Sequence, residues 1–308
     1  MILKMEYLMD RNSAFKEDPG VFVDLTFDTS FKLVFGDKAN KKLLIGLLNT
    51  ILPEEVRVAD IKQYLDREQV PDTPDSKRAQ LDIICEGIDG RRFLVEFQRS
   101  PDKDFFQRCV YYGAGAYHIA LDRGAMYGEL HPVYVVSMLN YRLPQHETPE
   151  WDTDHIISHY IFREKRTGEV APSTISVTFV ELGRFTKSED ECVSDRDRLF
   201  YIFQHSGFFT EIPQEFKDRP FLNELLEACK LAAFPKDKKL LYRTHIMNEI
   251  DILSQRRYAR EMGFEEGQEK GRAEMARETA KKLVGAGVAP ETIASCTGLS
   301  LEEVMALA

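Results

Sequence analysis

The sequence is organised around LDIICEGIDGRRFLVEFQ, residues 81–98. Two short apolar runs, 81–86 and 93–98, flank a segment that contains Asp89-Gly90. Apolar runs of this length, rich in β-branched and aromatic residues and joined by a glycine-containing segment, predict a β-hairpin. We therefore expect two adjacent antiparallel strands, and the length of the turn determines which side chains share a face.

Two turn lengths fit this hairpin. A two-residue loop, Asp89-Gly90, sets Asp82 opposite Phe97 and mixes polar with apolar side chains on each face. A three-residue loop that ends at Gly90, with this glycine in the left-handed conformation, sets Asp82 opposite Glu96 and leaves one face wholly apolar. Because a shift of one residue moves every side chain to the other face, the hydrophobic pattern favours the three-residue loop.

The favoured register brings two carboxylates together. Asp82 and Glu96 would repel each other across the strand pair, and folding alone gives no reason for placing them there. A hard divalent cation does, because it takes carboxylate oxygens, and Mg²⁺ keeps positions open for phosphate and water. The alternative is that both are solvated strand residues in another register. On the hairpin alone both interpretations stay open, since matches of this length recur by chance.

Further motifs extend along most of the chain from about residue 22 onward. In chain order they are FDTSFKLVFG (27–36), LLIGLLN (43–49), ILP (51–53), Asp82, VEFQ (95–98), Arg108, Tyr111-Tyr112, FVEL (179–182) and GFEEG (263–267). Their order and spacing resemble the recombination-promoting nuclease (Rpn) family of the PD-(D/E)XK nuclease superfamily.

The resemblance implies both a fold and an activity. The fold is α/β, a restriction-endonuclease-like core of order α-β-β-β-α-β with a mixed central sheet flanked by helices, followed by a C-terminal helical region. The activity is Mg²⁺-dependent DNA cleavage, with Asp82 and Glu96 as Mg²⁺ ligands and Mn²⁺ as a substitute ion. Our hypothesis adds the Phe97 backbone carbonyl as a ligand and gives Gln98 the role of orienting the attacking water.

Gln98 is a departure from the superfamily pattern, whose signature ends in Lys. An amide orients water or a phosphate oxygen but brings no positive charge, although the Rpn-type family often has Gln here. Lys32 or Arg108 supplies the missing cation if the fold brings it near. The alternative function is therefore a catalytically weak or inactive nuclease-fold module for binding or regulation. A role in DNA transposition, recombination or mobile-element biology rests on the family resemblance only.

Five more residues are candidates for the site. Asp28 adds a carboxylate from the first helix, although an Asp near a helix start is also a good cap. Lys32 contacts phosphate in the functional interpretation, and Arg99 is a basic residue beside the signature. Arg108 and Tyr112 lie four residues apart and share a helix face. We favour phosphate binding for Arg108, against pairing with a nearby acid, and a core position for Tyr112, against contact with the substrate.

Composition limits the class of protein. The chain has 308 residues, of which 43% are hydrophobic and 30% charged. Both percentages are typical of globular proteins. No apolar run approaches the ~18 residues that span a bilayer, and the N-terminus lacks the features of a secretion signal. The five cysteines are scattered without a C-x-x-C pair, which indicates neither disulfides nor a zinc site. We therefore expect a cytoplasmic protein with no membrane partner.

The net charge of −10 argues against a simple DNA-binding protein, because affinity for nucleic acid rests largely on Lys and Arg. Basic residues nevertheless gather near the predicted site. They are Lys77, Arg78, Arg91, Arg92, Arg99, Lys103 and Arg108. A local basic face on an acidic protein would suit DNA as the partner, whereas a solvated charged face is the plainer interpretation.

The pattern of the rest of the chain predicts its organisation. We divide the chain into a polar lead-in, a nuclease-like core, a helical subdomain and a C-terminal segment, at residues 1–20, 21–186, 187–260 and 261–308. In the core, helices are expected at 41–52 and at about 100–121, the second capped by Ser100. Strands are expected at 56–64, 132–139, 156–163 and 174–182, and a loop that approaches DNA at 66–77.

The C-terminal segment begins with glycines every four residues, Gly263, Gly267 and Gly271. Each Gly destabilises a helix by ~1 kcal/mol relative to Ala, so an exposed helix or a linker is expected. Two short helices follow, the second with a capping box of Ser300 and Glu303, and they resemble half of a helix-turn-helix. We favour a generic helical hairpin over DNA binding here, because the second helix has few basic residues. Homo-oligomers through the helical region, and contacts of the tail with protein or DNA, are further expectations.

Overall fold

The structure of the protein is a computed structural model and describes residues 22–65, 82–121, 125–151, 154–172 and 174–307. The predicted lead-in and DNA-approaching loop, together with Lys77 and Arg78, lie outside the described residues. The described chain up to Arg243 belongs to one compact unit and the chain from Thr244 to another. The four-part division of the chain stays a prediction.

A mixed sheet forms the centre of the first unit. In the described residues its strands are β1 Ile61–Tyr64, β2 Ile83–Gly87, β3 Arg92–Gln98, β4 Val133–Leu139, β5 Ile157–Tyr160 and β6 Ile175–Glu181, in the spatial order β1-β2-β3-β4-β6-β5. Strands β3, β4 and β6 are mutually parallel, and the other pairings are antiparallel. The apolar strand β4 lies between two parallel neighbours.

In the described residues two helices precede the sheet, one lies between β3 and β4 in sequence, and the others follow β6. They are α1 Asp28–Phe35, α2 Lys41–Ile51, α3 Phe105–His118, α4 Asp195–His205, α5 Gln214–Lys217, α6 Pro220–Cys229, α7 Lys236–Gly285, α8 Pro290–Thr297 and α9 Leu301–Met305. The order of α1, the first three strands, α3 and β4 is the predicted α-β-β-β-α-β core. The predicted fold class is therefore confirmed.

The β2–β3 hairpin adopts the predicted register. Ile83 pairs with Val95, and Ile84 pairs with Leu94. Gly90 has a φ of 81°, the left-handed conformation that the three-residue loop requires. The alternative two-residue turn would have paired each of these residues one position away, so it is excluded.

Both faces of the hairpin are covered by apolar side chains. On one face the Phe97 ring lies 5.7 Å from Phe31 of α1 and 6.3 Å from Phe203 of α4, measured between ring centroids. On the other face Ile84 and Leu94 belong to the core cluster that contains residues of α3. Burying one such side chain stabilises the fold by roughly 1.5–3 kcal/mol. The strands that carry the candidate residues are thus held rigidly from both sides.

Two predicted boundaries are wrong, and side-chain hydrogen bonds explain both. Strand β1 begins at Ile61 rather than at 56, because the side chain of Asn49 binds both the N–H and the carbonyl of Val58, at 2.7 and 2.9 Å. Helix α3 begins at Phe105 and is not capped by Ser100. The Asp102 carboxylate instead accepts the Asp104 N–H at 3.0 Å, which forms a turn ahead of the helix.

The second unit contains most of α7, a continuous helix of 50 residues, and the hairpin of α8 and α9. The hairpin forms a small core with the end of α7, which consists of Ala280 of α7, Ile293 of α8 and Val304 of α9. Ser300 and Glu303 form the predicted capping box at the start of α9. No helix in the described part of the chain combines the length and the apolarity that crossing a membrane requires.

Candidate active site

The two carboxylates of the hairpin lie at its open end, away from the turn. Asp82 directly precedes β2 and Glu96 lies in β3, and their residues are 3% and 5% exposed. The observed register, continued by one residue, sets them opposite each other. The Asp82 Oδ2 atom accepts the backbone N–H of Phe97 at 2.7 Å, so its side chain is tied to the neighbouring strand.

Helix α1 brings a lysine to Asp82. The ammonium of Lys32 lies 2.9 Å from Oδ1 of Asp82 and 2.8 Å from Oδ2 of Asp28, one turn earlier on the same helix. Asp28 is the first residue of α1, and Phe31 anchors the helix on Phe97. The predicted candidates Asp28, Lys32 and Asp82 therefore meet in one cluster.

Helix α3 brings an arginine to Glu96. The Nη2 atom of Arg108 lies 2.7 Å from Oε1 of Glu96 and 2.8 Å from Oε1 of Gln98, and Nη1 lies 2.9 Å from Oδ2 of Asp102. The Gln98 Nε2 atom donates to the Ser100 carbonyl at 2.9 Å, which fixes the orientation of the amide. Arg108 thus pairs with acids beside the signature residues, and its binding of phosphate stays a prediction.

One carboxylate oxygen of the cluster has no hydrogen-bond partner among the described residues. It is the buried Oε2 atom of Glu96. A buried acceptor without a donor destabilises a protein by about 1–3 kcal/mol, more when it is charged. Carboxylate oxygens are the ligands that hard divalent cations take. The donor set of Asp82 and Glu96 therefore fits a cation such as Mg²⁺.

The number of carboxylates limits the kind of cation site. Among the described residues, no three His, Cys, Asp or Glu side chains converge into a group that could hold a metal ion. Asp28 is therefore not gathered with Asp82 and Glu96 into a three-carboxylate cage. Mg²⁺ is usually held by one or two carboxylates and keeps several waters, so two protein carboxylates suffice for it.

Burial and charged neighbours shift the pKa values of the side chains in the cluster. Burial raises the pKa of Asp82 to about 8; the charge of Asp28 adds to this, whereas Lys32 opposes it. Burial likewise raises the pKa of Glu96, against the effect of Arg108. For Lys32, burial lowers the pKa, but Asp82 and Asp28 outweigh it and the pKa is raised. Titratable groups perturbed by burial and by specific charged neighbours are typical of functional sites.

The comparison with known families bears directly on this cluster. A family model described as PD-(D/E)XK nuclease family transposase matches residues 25–259. The chain belongs to this family. The matched region contains every candidate residue of the site, and the predicted resemblance is confirmed. Searches of curated proteins and of solved structures give no match.

Strand β3 carries Glu96, Phe97 and Gln98 of the PD-(D/E)XK signature, and the Phe97 N–H binds the fourth signature residue, Asp82. Asp82 precedes β2, and the VEFQ motif ends β3. The N–H of Phe97 points to Asp82, and in a strand the carbonyl of the same residue points to the same side. The Phe97 carbonyl is thus directed to the Asp82 side, where its predicted role as a ligand would place it.

Two predicted substrate-binding residues make aromatic or core contacts beside this PD-(D/E)XK cluster. Tyr112 is 8% exposed and packs in the core between α3 and the sheet. The guanidinium of Arg99 lies 4.0 Å above the ring of Phe27, next to the start of α1. The assignment of either residue to substrate binding stays a prediction.

Sequence reasoning missed two features near the carboxyl ends of the parallel strands. Asp102, which pairs with Arg108, gave no signal, because their spacing of six matches no single-element periodicity. Glu181 was part of a quoted motif without a role. It is fully buried at the end of β6, where His146, Arg184 and the N–H of Leu143 contact its carboxylate.

Proposed function

We propose that the protein is a metal-dependent DNA endonuclease that hydrolyses phosphodiester bonds. One observation carries the proposal: the hairpin register, continued by one residue, sets buried Asp82 opposite buried Glu96, one oxygen of which has no partner in the described chain. The matching family, described as nuclease family transposases, supports hydrolysis as the reaction and DNA as the substrate.

In this proposal Asp82, Glu96 and the Phe97 carbonyl hold one Mg²⁺, for which Mn²⁺ substitutes. When bound, such an ion stabilises charge on a phosphate and lowers the pKa of a coordinated water. Gln98 orients the attacking water through its Oε1 atom, which retains a second lone pair beside the one that faces Arg108. Asp28 positions Lys32 by an ion pair of 2.8 Å.

Lys32 and Arg108 replace the charge that a signature lysine would bring. Both lie within 2.9 Å of a site carboxylate, one from α1 and one from α3. Their side chains are 26% and 30% exposed, so solvent and a phosphate group can reach them. Charge on the transferring phosphoryl group is what positioned cations stabilise. We propose that these two side chains do so here.

The test is nicking of supercoiled plasmid, with Mg²⁺ and with EDTA. We expect the wild type to nick only with Mg²⁺, and Asp82→Ala and Glu96→Gln to lose at least about a hundredfold, as the removal of a site-defining electrostatic group does. Glu86→Gln is the matched control, because Glu86 is also a nearly buried carboxylate of the same hairpin, paired with Lys62 outside the site. Equal activity of wild type and Asp82→Ala would contradict the assignment.

A second candidate function is a nuclease-fold module that binds without cleaving. The presence of Gln98 in place of lysine and the net charge of −10 favour it. A module of this kind has no need of a divalent ion. Calorimetric titration with Mn²⁺ separates the two candidates, since the nuclease must bind the ion at Asp82 and Glu96, whereas the module shows the same heat in wild type and Asp82→Ala.

The biological role, location and oligomeric state are proposed from the family description and the sequence pattern. The family description supports a role in DNA transposition or recombination, with DNA as the partner. A cytoplasmic location and a homo-oligomer formed through the helical region are proposed from the sequence pattern. The C-terminal tail is proposed to contact protein or DNA.

A further inference from the structure

Each oxygen of Asp82 has one donor close by, and the two donors are of different kinds. Oδ2 accepts the Phe97 N–H at 2.7 Å, and Oδ1 lies 2.9 Å from the ammonium of Lys32. The first donor belongs to the backbone of a central strand and is fixed by its pairing with β4. The second stands at the end of a flexible four-carbon stem whose side chain is 26% exposed. Lys32, unlike the N–H of Phe97, can therefore move away from Asp82.

Glu96 differs from Asp82 in this respect. Its Oε1 atom is held by Arg108 at 2.7 Å, while Oε2 is buried and has no partner in the described residues. A cation that binds Glu96 through Oε2 displaces nothing. The same cation at Asp82 meets the positive charge of Lys32, and two positive charges at one carboxylate repel each other over a few ångströms.

We propose that Lys32 is an exchangeable counter-ion, which neutralises Asp82 and Asp28 in the metal-free protein and is displaced from Asp82 when a divalent cation binds. This inference rests on the proposed function. Asp28 gives the displaced ammonium a second partner on its own helix, 2.8 Å away, so Lys32 stays beside the site after the exchange. Lys32 therefore lowers metal affinity while it stabilises the metal-free fold.

The inference predicts an unusual pair of effects for Lys32→Met. Calorimetric titration with Mn²⁺ alone, in alkaline buffer where the carboxyls are ionised, should show binding about tenfold tighter than in the wild type, since the competing charge is gone. In EDTA the same variant should unfold at a lower temperature, because Asp28 and Asp82 then face each other unneutralised. Lys32→Arg, which retains the charge, should bind Mn²⁺ as the wild type does.

The matched control is Lys62→Met. Lys62 also pairs with a nearly buried carboxylate of β2, Glu86 at 3.0 Å, but lies outside the site. Its removal should leave the affinity for Mn²⁺ unchanged. If Lys32→Met binds Mn²⁺ no more tightly than the wild type, the counter-ion inference is overturned while the proposed function stands. If the wild type itself binds no Mn²⁺, the proposed function is overturned, and this inference with it.

Discussion

At the scale of single residues, burial shifts the pKa values of the carboxyl groups of the site away from their ordinary values. Asp82 and Glu96 both have raised pKa values, and burial is the largest cause in each case. Each is opposed by one cation from a helix, Lys32 or Arg108. A folded chain that keeps protons on such carboxyls loses stability when the solution removes them.

This linkage gives a prediction for Asp82→Asn. The carboxyl of Asp82 titrates near 4 in an unfolded chain and at about 8 in the folded protein. Because the folded pKa is raised, the folded chain binds more protons between these values, and its stability falls as pH rises through this window. In EDTA the free energy of unfolding of the wild type should therefore fall relative to Asp82→Asn, by up to ~1.4 kcal/mol per pH unit.

Denaturant unfolding at a series of pH values measures this difference. The contribution of Glu96 is common to both proteins and cancels in the comparison. Mg²⁺ should flatten the slope for the wild type only, since a bound cation takes the place of the proton. Parallel curves for the two proteins would show that Asp82 is not perturbed as described.

At the scale of elements, the position of Arg108 depends on how closely α3 approaches the sheet. Gly113, five residues after Arg108, faces β4 and β6. A methyl group added there would lie 2.7 Å from the Cγ2 atom of Ile175 and 3.0 Å from that of Val135. Only a residue without a side chain allows the helix this close, and the close approach sets the distance from Arg108 to Glu96.

We expect Gly113→Ala to destabilise the protein by about 1 kcal/mol, because overpacking of ~1–3 kcal/mol outweighs the ~1 kcal/mol that alanine gains in a helix. Nicking should fall as α3 moves outward. Gly267→Ala in α7 is the control, since its added methyl meets nothing within 4 Å, and it should stabilise the helix. Melting curves followed by circular dichroism measure both. A Gly113→Ala protein that is more stable than the wild type would refute the packing argument.

Elements also show how far the sequence predicts this structure. The register of β2 with β3 was predictable because alternation and the left-handed Gly90 are local signals. The start of β1 was not, because the hydrogen bonds of Asn49 to Val58 join residues of different elements. The meeting of Lys32 with Asp82 depends on packing between α1 and the hairpin through Phe31 and Phe97, which no periodicity reveals.

At the scale of the whole molecule, the residues of the candidate site all belong to one compact unit. This unit ends at Arg243, and the family match ends at residue 259. The hairpin of α8 and α9 packs on the end of α7 around a small apolar core of its own. Every side chain that the proposed reaction uses therefore lies in the first unit.

A chain that ends at residue 259 should consequently keep its fold and its metal-dependent nicking within about twofold, the scatter of effects remote from a site. If the tail forms the proposed homo-oligomer, its removal should lower the mass in light scattering to that of a single shortened chain. The comparison needs Asp82→Ala in the shortened chain as the inactive control. Loss of nicking in a shortened chain that still unfolds cooperatively would mean that the second unit contributes to the reaction, because a folded first unit then holds the complete cluster yet does not act alone.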